Sequence, residues 1–232
     1  MTRFVMVAGA WLGAWAWDEV VPELRASGHE VHALTLSGLA EKQGVPAGQQ
    51  THVQDIVDEV ERLDLRDVVL VGHSYSGVPV GQAAERIGDR LTRVVFVDSG
   101  LPVDGESALD GFASDHVRKS LAENGGVWPT PDPEDFAGQD LTDEQITRMV
   151  TDGTPHPGAT LTEPAVLARP LADLPATYVK CLLDGHELPT PADELVASGR
   201  WELVRMNTGH WPMFSQPREL ARVLRESAAR SS

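Results

Sequence analysis

VVLVGHSYSG, running from Val68 to Gly77, is a β-branched apolar run that stops abruptly at a serine set among small residues. A sharp strand-to-helix turn at that point lifts one hydroxyl clear of a sheet, beside a base and next to free amide groups. The candidate nucleophile is therefore Ser74. The turn demands small residues two positions to either side, because a Cβ there presses on the neighbouring strand or helix. Gly72 meets the first demand, whereas the second position holds Ser76, followed by Gly77, one substitution away from the G-x-S-x-G pattern. Behind the serine, Val78, Val80, Ala83 and Ala84 recur at near-helical spacing, so the serine has a strand before it and a helix after it.

Similar apolar runs recur along the chain at Phe4–Val7, Val31–Leu36, Val94–Val97, Tyr178–Leu183 and Leu203–Met206. Short Val- and Leu-rich runs alternating with helices predict an α/β fold: a mostly parallel six-stranded sheet with helices on both faces. Glu19–Ser27 reads as a helix closed by Gly28, and Thr51 with Gln54 reads as a capping box ahead of Ile56, Val57, Val60 and Leu63. A last helix is expected after Pro217, with Leu220, Val223 and Leu224 facing inward. The alternation breaks over 101–170, a stretch rich in proline with helical patches at Ala113–Glu123 and Thr142–Val150. Inserted after the fourth strand, this stretch is expected to form a small helical cap over the sheet edge where ligands bind, anchored by Phe112, Val117, Leu121, Trp128, Phe136, Ile146 and Met149. Residues 1–100 and 171–232 then make up the core domain.

A chain of 232 residues is long enough for one domain that buries roughly 70% of the surface its unfolded form exposes. The single Cys181 lies in an apolar run and can form no intramolecular disulfide, which suits a reducing compartment. No charged leader with a cleavage site is read at the N-terminus, and no run reaches the roughly 18 apolar residues of a membrane span. The expectation is a cytoplasmic protein without a membrane partner. A net charge of −16 with only three lysines, Lys42, Lys119 and Lys180, argues against nucleic acid and favours a neutral small molecule.

A serine is a poor nucleophile at neutral pH without a base in hydrogen-bond reach and a third group to orient that base. In sheets of this kind the chain order is serine, acid, histidine. Of the eight histidines, His210 lies after the last strand run and before the last helix, where the base belongs. His29, His32, His52, His73, His116 and His156 read as packing or surface residues. Asp184, ending the fifth run, is favoured as the acid by chain order over its competitor Asp98, which ends the fourth. The tetrahedral intermediate also requires two donors aimed at its oxyanion. The Tyr75 amide is one, and the loop Ala8–Trp15 supplies the other, with Ala10 the first choice and Trp11 the second.

Taken together, AGAWLGAWAW (Ala8–Trp17), ALTLSGL (Ala33–Leu39), Thr51–Gly77 and the segments around Asp184 and Gly209-His210 resemble the α/β-hydrolase superfamily. The resemblance is to the small branch of plant methyl esterases, hydroxynitrile lyases and their bacterial esterase relatives. It implies an α/β-hydrolase fold, a triad of Ser74, Asp184 and His210, oxyanion donors at Ala10 and Tyr75, and neither cofactor nor metal. Ala8 stands where the branch has histidine, and Ser76 where it has glycine. The expected activity is hydrolysis of a small carboxylic ester or lactone, with Trp11, Phe112, Trp128 and Trp211 lining the substrate pocket. For assembly, a homodimer is the expectation. The alternatives are a carbon–carbon lyase and a ligand-binding homologue with little turnover. The similar lyases place a lysine just after the histidine, where this chain has Trp211.

Overall fold

The computed structural model describes residues 1–111 and 115–230. Eight strands occur among them: β1 (Arg3–Val7), β2 (Glu30–Leu34), β3 (Val68–His73), β4 (Leu91–Val97), β5 (Val127–Trp128), β6 (His156–Pro157), β7 (Ala176–Cys181) and β8 (Glu202–Met206). Six of them form one sheet in the order β2-β1-β3-β4-β7-β8, and every pairing in it is parallel. β5 and β6 make a separate antiparallel pair. The expected run Val31–Leu36 ends earlier as a strand, at Leu34, and Tyr178–Leu183 ends at Cys181 because Leu182–Asp184 turns as a 3-10 segment.

Both faces of the sheet are covered, as continuous apolar strands require. Successive strand residues point to opposite faces. Val5, Leu70, Val94 and Tyr178 pack against helices α2 (Gln49–Arg62) and α3 (Gly77–Ile87). Phe4, Met6, Val69, Val95 and Val179 pack instead with α1 (Val20–Ala26) and the helix Pro217–Ala229, whose Leu220, Val223 and Leu224 are buried.

Helix α2 starts two residues before the expected Thr51. Its N-cap is Gly48, Thr51 Oγ1 accepts the Gly48 N–H at 3.2 Å, and Gln54 instead donates to Asp58. Gly48 has no side chain to cap with, so Glu163 of the 101–170 stretch accepts the Gln49 N–H at 2.7 Å.

The 101–170 stretch contains helices Asp115–Glu123 and Asp143–Asp152, the latter capped by Thr142, and it packs on both sides of the sheet edge. Val117 and Leu121 join the α2/α3 core, while Phe136 and Met149 join the other. Phe112 lies outside the described residues.

Candidate active site

The strand order reverses between β1 and β3, which are neighbours although β2 separates them in sequence. Ligands collect outside the carboxyl ends of strands at such a point. Here the loop after β1 faces the turn after β3, and Gly9 permits the approach: a Cβ on it would stand 2.7 Å from the Ser74 Cβ.

Ser74 follows His73, the last residue of β3, with φ of +55°, a left-handed conformation rare for a residue with a side chain. Such strain persists only where the surroundings hold it. Ser76 is one of the holders. Its fully buried Oγ accepts the His73 N–H and lies 2.8 Å from both the Val7 and the His73 carbonyls, to one of which it donates. The strict glycine is Gly77, where a Cβ would meet the Gly100 carbonyl oxygen at 2.2 Å.

His210 arrives from the loop after the edge strand β8 and must reach back across two strands. His73 Nε2 donates to its carbonyl at 2.7 Å, and Gln139 Oε1 accepts its N–H at 2.6 Å. So held, His210 Nε2 stands 2.8 Å from Ser74 Oγ. Its Nδ1 faces two carboxylates, Asp98 Oδ2 at 2.7 Å and Asp184 Oδ2 at 3.3 Å.

The expected acid, Asp184, is therefore present but is the farther partner, with its side chain 37% exposed against 2% for Asp98. Chain order could not weigh this, because the two aspartates end adjacent strands. Asp98 is also the more firmly held: its Oδ1 accepts from Lys180 Nζ at 2.7 Å and from the Cys181 N–H at 3.2 Å. Asp184 receives Gln139 Nε2 at 3.2 Å.

Burial works against charge on His210, yet contact with Asp184 and Asp98 outweighs it and pushes the imidazole up to about 9. Burial likewise opposes ionisation of Asp184, but His210 holds that carboxyl well below the usual range. Asp98, Asp184 and His210 offer three ligand atoms within 4.8 Å of one another. With Nδ1 in direct contact with both carboxylates and Lys180 on the remaining Asp98 oxygen, these donors are committed to one another rather than set apart around an ion.

A cavity of about 940 Å³ opens onto Ser74, lined among others by Ala10, Trp11, Tyr75, Trp128, His210 and Trp211. These include every expected pocket residue within the described chain. Trp11 and Trp128 form one wall, ring centres 4.2 Å apart. Val78, Leu101 and Leu188 also line it, and no motif marked them.

Trp11 has φ of +66°, and both of its backbone polar groups are taken by the 101–170 stretch. Its carbonyl accepts the Thr154 N–H at 2.9 Å, and its N–H donates to His156 Nδ1 at 3.4 Å. That engages the second-choice oxyanion amide and leaves Ala10 as the candidate. Beneath the elbow, the Tyr75 hydroxyl lies 2.9 Å from His52 Nδ1. Of the histidines read as packing or surface, His52, His73 and His156 are fully buried, His116 is exposed, and His73 braces the site.

Residues 4–223 match the alpha/beta hydrolase family. The chain is similar to a carbendazim hydrolyzing esterase of Nocardioides sp. (strain SG-4G), 29% identical with 97% of this chain and 98% of the relative covered. It is also similar to methyl jasmonate esterase 1 of Vitis vinifera, 27% identical over 97% of this chain and 95% of the relative. Among solved structures, an extracellular alpha/beta-hydrolase from a Paenibacillus species superposes with a TM-score of 0.85, at 22% identity, covering 98% of this chain and 99% of the other.

Proposed function

We propose, from the premise that the chain belongs to the alpha/beta hydrolase family, that it is a serine esterase acting on small neutral carboxylic esters or lactones. The observation that carries this reading is the 2.8 Å contact between Ser74 Oγ and His210 Nε2 at the floor of the cavity. Two of the relatives similar along nearly the whole chain are esterases by name.

In this reading Ser74 Oγ attacks the ester carbonyl carbon while His210 Nε2 takes the hydroxyl proton. The oxyanion that forms is held by the Ala10 and Tyr75 amides. The intermediate collapses, the alcohol leaves with the proton from His210, and the acyl group stays on Ser74. Water, giving a proton to His210, then attacks the acyl carbon, and as the second intermediate collapses His210 returns that proton to Ser74 Oγ and the acid leaves. Asp98 orients the imidazole through Nδ1 and stabilises its charged form, with Asp184 as a second counter-charge.

The lyase reading is not favoured. Departing cyanide needs a nearby cation, but Trp211 follows His210, and Lys180 is bound to Asp98. A ligand holder with little turnover would keep the cavity but show no burst of product.

A fluorophosphonate probe should label Ser74 in the wild-type protein and fail on Ser74→Ala, and p-nitrophenyl acetate hydrolysis should vanish with the label. An unlabelled wild-type protein overturns the esterase reading.

A further inference from the structure

Lys180 is an unusual residue to find here. It sits in β7 with its side chain only 7% exposed, and its ammonium lies 2.7 Å from Asp98 Oδ1, the oxygen opposite the one that faces His210. It also reaches the Asp184 carbonyl at 3.5 Å, so it touches the chain of both carboxylates. A buried lysine loses favourable hydration and side-chain freedom, and the reaction described above gives it no task. A hydrogen bond to Asp98 could have come from a neutral side chain.

The charges around the imidazole explain the choice. β4 contributes Asp98 and the turn after β7 contributes Asp184, both against Nδ1. From β3 comes His73, which burial keeps neutral and whose Nε2–H is spent on the His210 carbonyl. From β7 come Tyr178 and Cys181, whose hydroxyl and thiol burial pushes far up, so that both stay uncharged. The 101–170 stretch adds neutral Gln139, and Glu187 is exposed at the cavity wall. Two carboxylates alone would hold a proton on His210 too firmly for it to serve as a base. Asp98 with Lys180 alone would hold the imidazolium less firmly, since the ammonium offsets part of the Asp98 charge. Two carboxylates with one ammonium leave a single negative charge for a single positive one.

We propose that Lys180 is a positioning residue of the relay, whose ammonium offsets one of the two carboxylates facing His210 and so limits how firmly the imidazole holds its own proton before it takes that of Ser74. The proposal rests on the esterase reading, and the test separates the two.

The test measures the rate of Ser74 labelling by a fluorophosphonate against pH in the wild-type protein, Lys180→Gln and Lys180→Arg. Gln keeps a donor for Asp98 Oδ1 without the charge; Arg keeps the charge. The acid limb should move to higher pH by about one unit in Lys180→Gln and stay in place in Lys180→Arg. A lower plateau in Lys180→Gln with the limb unmoved would assign Lys180 a purely structural role and overturn the proposal. If Lys180→Gln does not fold, the double variant Lys180→Gln/Asp184→Asn, with one charge of each sign removed, is compared with Asp184→Asn: its limb should lie at higher pH by about one unit, and coincident limbs again overturn the proposal. No labelling of the wild-type protein at any pH defeats the esterase reading instead.

Discussion

Ser76 Oγ lies 2.8 Å from the carbonyl oxygen of Val7, tying the turn after β3 to the end of β1, the strand whose loop carries Ala10. The serine thus bridges the two pieces of backbone that the proposed reaction aligns. The departure from glycine at this position is a fastening rather than a defect in the elbow.

Replacing Ser76 by Gly should cost about 1–3 kcal/mol, because buried backbone groups of Val7 and His73 lose a partner. Urea unfolding followed by far-UV circular dichroism would measure it, with an unchanged slope and an earlier midpoint. A variant as stable as the parent would show that the side chain only fills space.

Asp98→Asn should lower kcat/KM by about a thousand- to ten-thousand-fold, the scale seen when a triad acid loses its charge. Asp184→Asn, at a longer and more exposed contact, should lose far less. Steady-state hydrolysis of p-nitrophenyl acetate by both variants, checked for folding by circular dichroism, ranks the two. The reverse ranking would return the orienting role to Asp184.

The esterase activity should rise with pH through the titration of His210, near 9, since a protonated imidazole cannot accept the serine proton. The same group acts on stability in the opposite direction. Its folded value lies above the unfolded 6.5, so its stabilising contribution is complete below 6.5 and disappears as pH rises through about 9. A kcat/KM profile beside a series of melting temperatures over that window should show the two trends crossing.

Acid should destabilise the fold through three other histidines. Burial lowers His52 to about 4 and holds His73 and His156 well below 6.5, so each is bound neutral in the native state. Their contribution is present above 6.5 and is lost as pH falls below it, for His52 down to about 4, at about 1.4 kcal/mol per pH unit for each histidine that stays neutral in the native state. Proton uptake on unfolding, measured by calorimetry in two buffers, should rise toward three from these residues as pH falls from 6.5 to about one unit below it. Replacing His52 by Gln should reduce it by one.

Ser74 and His210 are legible in the sequence because each stands at a strand end with a local signature: small residues around one, a loop between the last strand and last helix for the other. The choice between Asp98 and Asp184 is not, since both satisfy the same local rule and the reach of the β8 loop decides between them. Gln139 and Lys180 carry no local mark at all. Gln139 lies in a turn-rich stretch whose docking depends on Gly209, where a Cβ would strike the Gln139 carbonyl oxygen at 2.2 Å. Lys180 reads as an isolated polar residue in a strand until Asp98 is seen beside it. The start of α2 escapes for a similar reason: its first amide is met by Glu163, 114 residues away.

The sheet order has a bearing on how the protein matures. The serine belongs to β3, whereas the imidazole comes off the edge strand β8, the last to emerge during synthesis. A nascent chain carries its hydroxyl, first aspartate and most of its sheet long before any base exists to activate it. Competence therefore arrives in one late step, when the final strand docks, and a chain stalled on the ribosome short of residue 210 is chemically silent however well its first half has folded.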